Sequence, residues 1–94
     1  MRRVLLQSPA FSRDLRKWLK SRPPRAAAGV EAALEQLSAD ANEPSLHTHK
    51  LRGPLAGFWG CTVEYDLRIV FEYVEYDGAE AIVLLAIGTH DEVY

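Results

Sequence analysis

The chain has a single cysteine, Cys61, so an internal disulfide is excluded and a reducing compartment is the better fit. Long hydrophobic runs are also missing. The longest, Ala81–Ile87, spans seven residues, against the roughly 18–20 that a membrane helix needs. Nothing at the N-terminus has the shape of a signal peptide, because MRRVLLQSPAF breaks at Gln7-Ser8-Pro9 after only three apolar residues. These absences lead to the expectation of a cytoplasmic protein without a membrane segment. Positive charge is scarce in one half. Residues 53–94 hold Arg68 as their one cation against eight carboxylates, a balance of −7, whereas residues 1–52 carry +5. Such a split suggests one face suited to phosphate and another that is not.

What is present reads as one domain over residues 1–94, large enough to bury roughly 60–65% of its unfolded surface. Val4–Gln7 predicts a short first strand. Ser8-Pro9 then opens a helix, with serine as cap and proline at the first helical position. Phe11, Leu15, Trp18 and Leu19 make its apolar stripe. After SRPPR a second helix turns Ala26, Val30, Ala33, Leu34 and Leu37 the same way, until SADANEP ends it. From Phe58 the period changes to two. Trp59, Cys61 and Val63, then Leu67, Ile69, Phe71 and Tyr73, face one side; Asp77-Gly78 is a hairpin turn, and Ala81–Ile87 a central strand. The order βααβββ predicts an α+β domain, a two-helix hairpin packed on one face of a mainly antiparallel sheet. If Val63 and Leu67 share the core face, Glu64-Tyr65-Asp66 is a three-residue turn and Thr62 sits opposite Arg68 on an open, polar second face.

Chemistry-bearing residues gather in two places. In LHTHKLRGPLAG, His47, His49, Lys50 and Arg52 crowd into six residues. This is either a solvated loop with turn glycines or a loop that positions phosphate, with a titratable histidine beside two cations. The second place is GTHDEVY, where His90, two carboxylates and Tyr94 follow the most apolar strand. A metal triad of His47, His49 and His90 is a further reading, without matching Cys/Asp spacing to support it. Arg68 is either a cross-strand ion pair with Glu64 or Asp66, or a guanidinium aimed at phosphate. Arg13, Arg16, Lys17 and Lys20 form either a solvated helix face or a contact for RNA backbone or an acidic partner.

The stretch HKLRGPLAGFWGCTVEYDLRIVFEY together with LLAIGTHDEVY resembles the RelE/ParE superfamily of bacterial toxins from type II toxin–antitoxin pairs, closest to its YafQ-like branch. The likeness covers the whole βααβββ order, and the motif match runs over 49–94. It implies a ribosome-dependent mRNA endonuclease, held inactive by a cognate antitoxin and needing no metal or other cofactor. In such an enzyme a ribose 2′-OH attacks the adjacent phosphate and leaves a 2′,3′-cyclic phosphate. Carried over by position, His49 matches the loop histidine, Asp66 the acidic residue after the second strand, His90 the histidine of GTH, and Tyr94 the aromatic four residues on. The implied roles are acid/base work for His90 and His49 with Asp66 assisting, phosphate charge for Arg68, base stacking for Tyr94, and backbone contacts for Lys50 and Arg52.

The chain also departs from the YafQ-like pattern. Thr62 stands for a histidine, Leu67 for a tryptophan and Ala86 for an arginine, while Asp66-Leu67-Arg68-Ile69-Val70-Phe71 fits the D-Y-R-[VI]-[IV]-[YF] strand of the RelE-like branch. Two other readings share the fold: a ParE-like toxin that poisons DNA gyrase, and a binding-only member without activity.

Overall fold

Pro9 has no amide hydrogen to lose and Ser8 has an oxygen to offer, so the chain enters a helix where the two meet. In the computed structural model, which describes residues 2–64 and 66–94 without the side chain of Glu64, helix α1 spans Pro9–Lys20 and the Phe11 amide donates to Ser8 Oγ at 3.0 Å. Strand β1 (Val4–Gln7) precedes it, and α2 (Arg25–Ala39) follows after a two-proline corner. Then come β2 (His49–Lys50), β3 (Trp59–Glu64), β4 (Leu67–Tyr76), β5 (Ala79–Gly88) and a single helical turn α3 (His90–Val93). Short 3-10 turns occupy Pro44–Leu46 and Gly53–Leu55.

The strands form one sheet in the order β1-β5-β4-β3-β2. β1 runs parallel to β5 and every other pairing is antiparallel. The α+β class and the mainly antiparallel sheet are as the sequence predicts. The strand count differs. His49 and Lys50, expected in a loop, pair with Gly60 and Trp59 as an edge strand, and the GTHDEVY ending coils into α3. Asp77 and Gly78 both have left-handed backbone (φ 54° and 78°) and join Tyr76 to Ala79 in the expected tight hairpin.

Both helices bury their stripes on one face of the sheet. Phe11, Val30, Ala33 and Leu37 meet Ile69, Phe71, Ile82 and Leu84, with Leu15, Trp18 and Leu34 packed around them. Phe11, Ile69, Phe71, Ile82 and Leu84 have no exposed surface. Two irregularities tune the register. In β5 the pairing steps from Phe71↔Leu84 to Val70↔Ala86, so Leu85 is an extra residue. The bulge turns both Leu84 and Ile87 inward, which strict alternation forbids for residues three apart. In β3 the step from Thr62↔Arg68 to Glu64↔Leu67 leaves Val63 as the extra residue. Val63 therefore does not stand opposite Leu67, although it still packs against the core. The expected three-residue turn shortens, and Tyr65, at its middle, lies outside the described residues.

Thr62 and Arg68 are partners as expected, and both face away from α1 and α2. That outer face is not open throughout, however. Gly60 and Gly88 are buried, Val70 is 3% exposed, and α3 packs across β4 and β5 there.

Cys61 sits on the inner face, 1% exposed. Burial pushes its thiol up to about 12, against a smaller opposing effect of a backbone hydrogen bond at Ile69. At pH 8 the folded chain thus offers almost no thiolate, the reactive form. A thiol-reactive dye should label Cys61 only after denaturant unfolds the chain, and labelling at the rate of a free thiol in the native protein would contradict this packing. In the same core, Phe71→Ala should cost about 3–5 kcal/mol in a urea titration.

Candidate functional site

The outer face carries a small grid. His49, Gly60, Val70 and Ala86 form one lateral row across β2, β3, β4 and β5, and Thr62, Arg68 and Gly88 form the next. Side chains directly opposite each other in such rows lie about 4.5–5.5 Å apart. His49 is therefore on this face, while Lys50, its neighbour, is on the other.

His47 has a left-handed backbone (φ 50°), a conformation that histidine tolerates better than most residues. The turn brings its carbonyl to 2.8 Å from His49 Nδ1. A carbonyl only accepts, so Nδ1 carries hydrogen, and in the neutral ring the lone pair is then on Nε2. His49 is exposed, and Nε2 is the accepting nitrogen of this tautomer.

Beyond Gly88 the chain folds back at once. Thr89 caps α3 and shares reciprocal bonds with Glu92: the Thr89 amide donates to Glu92 Oε1 at 2.8 Å and the Glu92 amide to Thr89 Oγ1 at 3.4 Å. Thr-x-x-Glu is the sequence signature of this capping box, a signal present in GTHDEVY. The cap holds His90 at the first helical position and Tyr94 immediately after the turn. His90 Nδ1 is 3.5 Å from the Asp91 carboxylate, a partner for its charged form.

Tyr94 joins the two histidines. Its ring meets the His90 ring edge-on at 4.9 Å and the His49 ring at 6.1 Å, nearly perpendicular to both. Its phenol titrates above the ordinary tyrosine value, chiefly because burial disfavours the phenolate, with the Cys61 thiol adding and the Arg68 guanidinium opposing. Arg68 is thus close enough for its charge to be felt at Tyr94, and its Nη1 also lies 3.5 Å from the Leu67 carbonyl.

The structure therefore brings together His49, His90, Tyr94 and Arg68. Asp66 is exposed in the β3–β4 turn, and among the described residues no hydrogen bond, ion pair or ring contact ties it to this cluster. Lys50 lies over the Trp59 ring at 5.6 Å on the opposite face, and Arg52 is exposed before the second 3-10 turn. Arg13, Arg16, Lys17 and Lys20 are exposed on α1, with Arg13 3.6 Å from Asp14. His47, His49 and His90 do not form a metal triad; among the described residues no three His, Cys, Asp or Glu side chains are so grouped. A cleft of about 710 Å³ beside Trp59 and Tyr73 shares no lining residue with the cluster. A groove of about 380 Å³ does adjoin α3, lined by Lys17, Trp18 and Arg22 of the helical layer and by Gly88, Glu92 and Val93. Arg22, whose guanidinium lies 4.9 Å over Trp18, was not singled out in the sequence.

The family model for the bacterial toxin of type II toxin–antitoxin systems, YafQ, matches residues 3–94. The chain belongs to the YafQ family of toxins. Solved structures agree in fold. YafQ from E. coli strain BL21(DE3) is 17% identical with a TM-score of 0.77, covering 98% of each chain. The E. coli DinJ–YafQ toxin–antitoxin complex gives 18% and 0.75, covering 100% of this chain and 99% of that one. A YoeB/ParE toxin from Agrobacterium tumefaciens gives 14% and 0.74, covering 93% and 98%. No curated protein matches in sequence. Among the described residues of this YafQ-family chain, no helix is long and apolar enough to cross a membrane.

The capping box predicts a pH effect. Hydrogen bonds from the Thr89 amide and then its hydroxyl hold the Glu92 carboxyl below its usual range, helped by Lys17 and Arg22. A lowered carboxyl pKa means that the cap is at full strength above the ordinary carboxylate range and is lost as pH falls through the lowered value. The Thr89 amide should exchange faster on acidification. Glu92→Gln should keep the bond but remove that pH dependence, and Glu92→Ala should fray α3 even at neutral pH, as hydrogen-exchange NMR would report.

Proposed function

We propose that this YafQ-family toxin is a metal-independent endoribonuclease that cuts mRNA on the ribosome and that its cognate antitoxin restrains it. One observation carries the reading: two histidine rings meet one aromatic ring, with Arg68 in the neighbouring row of the sheet. His49, tied through Nδ1–H to a carbonyl, has Nε2 available to take the proton of a ribose 2′-OH. The freed oxygen attacks the adjacent phosphorus and the bond to the 5′-oxygen breaks, giving a 2′,3′-cyclic phosphate. His90, beside the Asp91 carboxylate, supplies a proton to the departing oxygen. Arg68 offers a planar fork to the phosphoryl oxygens as charge builds on them. Tyr94, 38% exposed, has ring surface available to a nucleobase. Asp66, in the β3–β4 turn, and Lys50 and Arg52 stand outside this cluster, where Asp66 would assist and the two cations would hold RNA backbone.

His90→Gln should lower single-turnover cleavage of ribosome-bound mRNA roughly 10²–10⁴-fold, with an unchanged thermal melt. Arg68→Lys, which keeps charge but not the fork, should remain impaired. Activity should persist in EDTA, because side chains alone move the protons. Wild-type cleavage by His90→Gln would remove the acid/base assignment. Growth arrest with intact mRNA and damaged DNA would favour gyrase poisoning instead.

The E. coli YafQ structure in complex with DinJ supports an antitoxin partner here. We assign its acidic segment to the exposed cations Arg13, Arg16, Lys17 and Lys20 of α1. Association should slow as salt rises, and salt-independent association rates in stopped-flow mixing would count against this surface.

A further inference from the structure

Gly60 needs a reason. A glycine inside a strand weakens it, and this one has no left-handed backbone to justify its presence. It sits in regular pairing between His49 and Val70, and is not itself the extra residue of either bulge. The reason lies above it. A Cβ at position 60 would collide with Tyr94 Oη and come within 3.0 Å of both Tyr94 Cζ and Leu51 Cδ2. The end of the phenol fills the space that a side chain would take.

Gly88 makes a similar provision in the next row. A Cβ there would lie 3.0 Å from Glu92 Oε1, 3.1 Å from Glu92 Cβ and 3.2 Å from Val93 Cγ1. Two bare positions on the outer face thus receive the last turn of the chain, one under α3 and one under the ring that follows it.

We propose that Gly60 is a positioning residue: its missing side chain is the seat of the Tyr94 phenol, and any larger residue there lifts the ring from between His49 and His90. The direction of the displacement follows from which partner is held more firmly. Gly60 is bonded into the sheet on both sides, by β2 and β4. Tyr94 hangs from a four-residue helix and is 38% exposed. Leu51 Cδ2 is the far end of a flexible side chain and can yield a few tenths of an ångström; the phenol oxygen cannot stay. The tyrosine therefore moves and the strand does not. The effect on cleavage rests on the ribonuclease reading above, whereas the seat itself does not.

The test compares Gly60→Ala, Tyr94→Ala and the double variant. In the unmodified protein, NMR should show cross-relaxation from the Tyr94 ring to the Gly60 α-protons and to the His49 and His90 imidazoles. Gly60→Ala should lose the Tyr94–His49 signal while keeping the core signals of Phe71 and Ile82. Its cleavage of ribosome-bound mRNA should fall to the level of Tyr94→Ala, roughly 5- to 150-fold down for a lost stacking platform. The double variant should cleave no worse than Tyr94→Ala, because the seat has no further purpose once the ring is gone. Retention of the Tyr94–His49 signal in Gly60→Ala overturns the proposal, and so does wild-type cleavage after its loss. Should the unmodified toxin cut no RNA, the ribonuclease reading fails and the NMR arm alone decides the seat. Should Gly60→Ala not fold, the double variant decides: its folding supports the seat, and its failure assigns Gly60 to the sheet instead.

Discussion

One extra residue in β5 decides which face receives the end of the chain. Leu84 and Ile87 are three apart, and both are needed in the core beneath α1 and α2. Regular alternation would send one of them to the opposite face. The bulge at Leu85 resolves the conflict, and the Leu85 carbonyl is engaged by Ser8 Oγ at 3.3 Å as the chain enters α1. Its consequence is felt downstream. With Ile87 turned inward, Ala86 and Gly88 face outward, and the capped turn that follows lies across the outer face. Without the bulge, Gly88 would turn to the helical side, and His90 and Tyr94 would lose their relation to His49. The demand for a dry core thus fixes the position of polar groups on the other side of the sheet.

Where local chemistry dictates local shape, the sequence could be read directly. Ser8-Pro9 had to start a helix, Asp77-Gly78 had to turn, and the stripes from Phe11 to Leu37 had to face the sheet. Strand β2 was not legible, because two residues show no period and His49-Lys50 pairs only because β3 passes beside it. The bulges were hidden for a related reason: an unbroken apolar run such as Ala81–Ile87 contains no alternation whose phase could be seen to slip. The capping box of Thr89 and Glu92 is legible in the Thr-x-x-Glu spacing of GTHDEVY, which His90 and Asp91 interrupt with chemistry of their own. Gly60 belongs to a third kind. Its reason is a residue 34 positions away, and only the assembled sheet shows it.

The uneven charge along the chain also takes on meaning in space. The basic half supplies α1 and the histidine loop; the acidic half supplies β3, β4 and β5. The cluster forms where β2, from the basic half, pairs with β3, from the acidic one. Arg68 is the one cation of residues 53–94, yet it lies in the row beside His49 and Gly60. A long side chain at a diagonal position about 7–8 Å away reaches its neighbour's site. Arg68 and Ala86 have that relation, since Ala86 pairs with Val70 two residues along β4. A guanidinium on Arg68 can therefore serve the space above Ala86, where the YafQ-like pattern has its arginine.

The same grid narrows the proton chemistry. Thr62 occupies the place of a histidine in the YafQ-like pattern, and a hydroxyl there can donate or accept a hydrogen bond but does not exchange protons near neutral pH. Asp66 stands apart in its turn. If the site cleaves RNA, His49 and His90 are then the two histidines placed to serve as base and acid. Such a pair works only while the two rings keep their spacing, and the ring between them is Tyr94. Gly60 and Gly88, bare positions of the outer face, are therefore part of the same arrangement as the histidines. A Cβ on the first would meet the Tyr94 phenol and one on the second would meet Glu92 and Val93 of α3, which ties the geometry of the proposed chemistry to the absence of side chains beneath it.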